Sequence, residues 1–233
     1  MSTINPIDFT KFNPVKYNAL QKVDVASSAL QQCSNFTELM EKIFSLTKEH
    51  SLELGVRLVH RHMQVDEGKV MVERFQFHQN VPAFITSAHL PTDQIYPASW
   101  LLEDNNKLSV FEYSTDIMVK RTLEKLNNDP SVFMNICELI KEYHLENLLA
   151  PCITARDSLK QFNKENGFLE VADSESNASV VKSAKDISYV HKEEKIFITM
   201  WAYPVSDNCL RGDIHKDGHS FARLFGCLEN KCE

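Results

Sequence analysis

The apolar positions along the chain change period several times, and each change predicts a change of element. From Pro14, which suits the first turn of a helix because it has no N–H to leave unbonded, Leu20, Val23, Ala26 or Ser27, and Leu30 recur at helical spacing and predict a helix over 14–33. Thr37 is an acceptable N-cap for a second helix, in which Leu39, Met40, Ile43, Phe44 and Leu46 form one apolar stripe ending at Glu49 and His50. Beyond Gly55 the period drops toward two. β-Rich runs at 56–63, 69–78, 83–88, 95–102 and 108–113 alternate with polar or proline-containing turns, the pattern of an antiparallel meander. Helical spacing then returns. Ser114 or Thr115 caps a helix to Leu126, and Asp129-Pro130 opens another to His144, with Phe133, Ile136, Cys137 and Ile140 on one face. The last third reads as strands at 151–155, 168–171, 179–182 and 196–203, with an acidic turn at 173–177.

This order predicts an α+β fold: an antiparallel β-sheet meander with N-terminal and central helices packed on it. One domain over 1–233 accommodates it, with a helical part at 1–50, the meander at 51–115, a helical segment at 116–148 and a mainly β part at 149–233.

The chemistry concentrates in Gly55-Val56-Arg57-Leu58-Val59-His60-Arg61-His62. On a strand, alternation puts Val56, Leu58, His60 and His62 on one face and Arg57, Val59 and Arg61 on the other. The following run places Met71, Glu73, Phe75 and Phe77 together, and a turn at Val65-Asp66-Glu67-Gly68 would bring Glu73 opposite His60. Two imidazoles and a carboxylate are the ligand types of an open non-haem iron or catalytic zinc site, so His60, His62 and Glu73 are candidate pocket or metal residues, with Zn or Fe the candidate ion. The same side chains also fit a hydrogen-bonded core.

The run from Leu58 to Met63, followed by Glu67-Gly68-Lys69-Val70-Met71-Val72-Glu73, resembles an uncharacterised, largely fungal protein group with a Leu-His-Arg-His-Phe strand and a similar hairpin. The resemblance covers under a tenth of the chain, Met63 stands in place of the group's aromatic residue, and no activity is implied. His60 and His62 with Glu67 are also similar to the first cupin motif, which implies a metal held inside a β-barrel, but the glycine-rich second cupin motif is missing.

Two further constellations carry chemistry. Cys209, His215, His219 and Cys227 are the ligand types of structural zinc, in a stretch that reads equally as an exposed turn. Cys152, after Pro151, is a candidate nucleophile with His215 or His219 as base, whereas Cys33 and Cys137 fall within helical apolar patterns as small core residues. Trp100 and Trp201 lie on predicted strands and read as sheet packing.

Composition removes several function classes. A net charge of −7 argues against a nucleic-acid partner, which needs a contiguous excess of Lys and Arg. Residues 1–12 hold neither a basic nor an apolar leader segment, and no apolar run is long enough to cross a bilayer, so a cytoplasmic location without a membrane span is expected. Six widely separated cysteines predict reduced thiols. The six glycines form no phosphate-cradling loop, and Gly-x-Ser-x-Gly, His-Glu-x-x-His and Cys-x-x-Cys are absent. What remains is a small-molecule-binding protein or metal-dependent enzyme with a pocket at His60, His62 and Glu73; the alternative is a non-catalytic protein–protein interaction or regulatory protein.

Overall fold

A computed structural model describes residues 9–49, 53–78, 80–103, 107–157, 168–173, 177–183, 196–202 and 214–216. Its elements in chain order are β1 (Phe9–Thr10), α1 (Pro14–Asn18), α2 (Val23–Gln31), α3 (Phe36–Glu49), β2 (Leu54–Leu58), β3 (Val70–His78), β4 (Val81–His89), β5 (Tyr96–Leu102) and β6 (Leu108–Ser114). There follow α4 (Ile117–Asn128), α5 (Ser131–Glu142), β7 (Leu149–Ile153), β8 (Phe168–Asp173), β9 (Ala178–Ser183), β10 (Ile196–Ile198), β11 (Met200–Ala202) and β12 (Ile214–Lys216). No helix among the described residues is long and apolar enough to cross a membrane.

The helix expected over 14–33 is two helices. Asn13 caps the first, its Oδ1 accepting from the N–H of Val15 at 3.0 Å and of Lys16 at 3.2 Å. The break that follows is made by tertiary bonds: the Arg61 N–H donates to the Gln21 carbonyl at 2.9 Å, and the Asn18 amide brackets Val65, donating to its carbonyl at 2.8 Å and accepting from its N–H at 2.9 Å. α4 starts after Asp116, whose Oδ1 accepts from the Met118 N–H at 2.8 Å.

The antiparallel meander is not what forms. The strands order as β10-β12-β8-β9-β4-β3-β6-β5-β7-β2-β11, with β1 beside β6. The sheet is mixed: the central run of seven, from β9 to β2, is antiparallel except for β3 and β6, which run parallel with Val72 opposite Tyr113. The hairpin expected between the His60 strand and the Glu73 strand is likewise overturned. β2 pairs with β7 and β11, whereas β3 pairs with β4 and β6. Every residue of β2 is buried, so it requires a partner on both edges, and β7 and β11 supply them. The loop leaving β2 meanwhile commits its backbone to α1 and, through the Val59 N–H, to the Leu148 carbonyl at 2.8 Å.

β10 and β11 stand at opposite ends of this order, yet Thr199 alone separates them in the chain. A sheet whose two ends lie one residue apart must curl on itself, and the central seven strands form a curled half-barrel. Its outer face carries Val56, Trp100, Val110 and Ile153, packed in one core with Leu39 and Ile43 of α3 and Phe133 and Ile136 of α5. The residues alternating with them face the other way. Register places Arg57 beside Ala150, and Cys152 beside both Gly55 and Ser99, on the concave face. A second core holds Phe12, Tyr17, Val59, Met71 and Phe111.

Candidate functional site

β2 ends at Leu58, so His60 and His62 lie on the loop beyond it and strand alternation does not orient them. Tertiary bonds do. The two rings are nevertheless adjacent, with centroids 4.6 Å apart and planes tilted by 56°. His60 Nδ1 sits 2.9 Å from the Leu58 carbonyl oxygen. His62 Nε2 sits 2.8 Å from Glu112 Oε1, while its backbone N–H donates to the Tyr17 hydroxyl at 3.1 Å.

Glu112 is the centre of the cluster. Only 1% exposed, it accepts from His62 and, through Oε2, from Nη1 of the buried Arg57, whose guanidinium lies 5.7 Å from the centre of the Phe111 ring. Phe111 and Glu112 are neighbours in sequence, and strict alternation would send them to opposite faces. The β5–β6 ladder shifts register on both sides of the Ser99–Glu112 pair, and such a bulge re-aims a side chain, so both residues meet Arg57. Arg57 and Glu112 reach each other across the two intervening strands β7 and β5, over the small buried residues Ala150, Cys152 and Ser99. The curl of the sheet shortens that span.

Glu73 belongs to a different cluster. On β3, opposite Ser114, its Oε1 accepts from Arg156 Nε at 2.5 Å and from Ser114 Oγ at 3.2 Å. Arg156 Nη1 also donates to the carbonyls of Ile153 and Ala155, at 2.9 and 2.8 Å. Asp116 ties this end of β7 to α4, its Oδ1 accepting from the Asp157 N–H at 3.0 Å. The structure therefore brings His60 and His62 together and sets Glu73 with Arg156. Among the described residues no three His, Cys, Asp or Glu side chains gather as a metal-holding group.

Arg57, Glu112 and Arg156 escaped the sequence reading, although a signal existed. Arg57 and Glu112 each interrupt an apolar strand, Val56-Arg57-Leu58 and Phe111-Glu112-Tyr113, with charges of opposite sign. A charge within a strand buried on both faces needs a partner, and the two strands hold one of each sign.

Cys152 lies on β7 and is 1% exposed, which leaves no approach for a substrate carbonyl. Cys137 is buried on α5, and desolvation pushes its thiol up to about 12. Site-resolved labelling of the native protein with iodoacetamide is expected to modify the half-buried Cys33 and spare Cys137 and Cys152; rapid alkylation of Cys152 would reopen its role as a nucleophile. Of the second zinc constellation, His215 lies on β12 with its backbone opposite Phe197 and Glu170, and Cys209, His219 and Cys227 lie outside the described residues. Trp100 is fully buried against Phe133, ring centres 4.9 Å apart, and Trp201 pairs with Val56 between β11 and β2.

A groove of about 850 Å³ opens between α1, residues 65–70, residues 91–95 and Tyr113 of β6. Phe12, Val65, Val70 and Ile95 supply an apolar floor; Lys11, Asn13, Thr92 and Tyr113 supply polar atoms. Burial raises the Tyr113 pKa against the opposing effect of the Phe12 N–H, so its phenol stays protonated at neutral pH and donates. An aromatic series links groove and cluster: Phe12 lies 5.3 Å from Tyr17, and Tyr17 lies 5.7 Å from Phe111, between ring centres. No protein-family model, curated protein or solved structure matches the chain.

Proposed function

We propose that the protein is a cytoplasmic small-molecule-binding protein whose ligand occupies the groove between α1 and residues 65–70. The observation that carries this reading is the groove's make-up: about 850 Å³, the size of a site for a small organic molecule, with an apolar floor and a few polar groups at its margin. Those polar groups are mostly donors. Lys11, Asn13, Thr92 and Tyr113 bring donor groups to the lining and Glu67 is its acidic member, while Lys69 is paired with Asp66 at 2.6 Å. A carboxylic acid with an apolar body fits this arrangement.

Fluorescence titration with 1-anilinonaphthalene-8-sulfonate is expected to reveal one saturable site from which octanoate displaces the dye. Thr92→Trp, a substitution at an exposed position on the rim, is expected to abolish binding, and Lys11→Met to weaken it several-fold. Undiminished binding in the tryptophan variant would refute the assignment of the groove.

A second reading, as a protein-interaction module, draws on Phe77, which is 64% exposed and forms an aromatic group with Phe75 and Phe84. Sedimentation of the wild type and of Phe77→Ser separates the two readings, because only the interaction module loses a concentration-dependent association.

A further inference from the structure

We propose that Arg74, Ser87 and His89 form a binding site for a phosphoryl group, taken up as free phosphate or as a phosphate monoester. None of the three lines the groove, so the site is independent of the function proposed above. The β3–β4 ladder is regular, with Val70 opposite His89, Val72 opposite Ser87 and Arg74 opposite Ile85, and alternation therefore puts Arg74, Ser87 and His89 on one face. Ser87 is the middle member. Its Oγ lies 2.7 Å from His89 Nε2, and Arg74 is its diagonal neighbour on the adjacent strand, at about 7 to 8 Å, a span that a long side chain crosses. All three residues are partly exposed, so an ion reaches them from solvent.

Charge and hydrogen bonding select an anion. Arg74 Nε is buried with no hydrogen-bond partner among the described residues, and a buried donor costs free energy until an acceptor meets it. By alternation, the face of β3, β4 and β9 that carries Arg74 holds no Asp or Glu; Glu73 lies on the opposite face with Arg156. By backbone register, Asp173 of β8 stands two strands from Ser87, beyond Ala178. Burial, then the charges of Arg74 and Lys69, hold the His89 pKa below its usual value, so the charges acting on this ring are positive. Lys69 is balanced by Asp66 at 2.6 Å, which leaves Arg74 as the charge for an anion to answer. A guanidinium donates to phosphate oxygens as a fork, and Ser87, accepting from His89 Nε2–H, keeps its own O–H to donate to a third oxygen.

The test is nuclear magnetic resonance on the full-length protein with isotope-labelled histidines, titrated near neutral pH with inorganic phosphate and with phenyl phosphate, the ionic strength held constant with sodium chloride. The His89 ring signals, assigned by their loss in His89→Gln, are expected to follow one saturable curve, a result on the wild type that rests on no variant's stability. Arg74→Gln should weaken binding about 10-fold or more, Arg74→Lys less because the charge remains, and Ser87→Ala about 2- to 10-fold. Lys125→Gln, which removes an exposed positive charge from α4, should bind as the wild type does. Saturation by both probes assigns the site to a phosphate monoester, and saturation by inorganic phosphate alone assigns it to the free ion. No saturable shift of His89 with either probe, or equal weakening by Lys125→Gln and Arg74→Gln, would overturn the proposal.

Discussion

Glu112→Ala is expected to lower the unfolding free energy by about 3 to 5 kcal/mol, because it removes the carboxylate that balances the charge of the buried Arg57 guanidinium. Arg57 is 4% exposed, and Glu112 is its carboxylate partner, shared with His62. Removing the acid deletes the attraction without restoring hydration to the base, so the loss exceeds the worth of the bond itself. The paired variant Arg57→Met with Glu112→Leu should cost less than Glu112→Ala, since it removes both charges and leaves apolar volume in their place. Urea unfolding followed by circular dichroism measures all three proteins. A Glu112→Ala loss below about 1 kcal/mol, the range of exposed ion pairs, would show that the pair is hydrated.

Trp100→Ala is expected to cost about 3 to 5 kcal/mol through the cavity it leaves between sheet and helices. Trp100 is fully buried on β5 and meets Phe133 of α5 edge-on, so its loss removes a contact that holds the helical layer to the outer face. Trp100→Phe keeps an aromatic edge against Phe133 and should lose distinctly less. Thermal and urea unfolding report both, and equal losses in the two variants would place the stabilisation in the indole N–H instead of the packed volume.

The arginine and the glutamate at the centre of the candidate site were readable as anomalies, each a charge inside an apolar strand, but their partnership was not. Arg57 and Glu112 are 55 residues apart and meet across two strands supplied from elsewhere in the chain. Glu73 shows the reverse case. Alternation placed it with His60 on the premise of a hairpin, and that premise failed because residues 59–69 bond to α1 and to Leu148 in place of turning directly into β3. Once β2 takes β7 and β11 as neighbours, Glu73 lies at the other end of the sheet's centre, within reach of Arg156.

Local pattern by itself determined which residues become helix or strand over most of the described chain, because helical and alternating periods are written in consecutive side chains. The stripes of α3, α4 and α5 and the runs of β3 to β6 follow from it. Only the tertiary structure decided which strands adjoin, that β3 and β6 run parallel, that the helix from Pro14 breaks at Asn18, and that a bulge turns Glu112 toward Arg57 and His62. These choices rest on satisfying buried backbone groups and buried charges with partners distant in sequence, and period carries no record of which distant partner is taken.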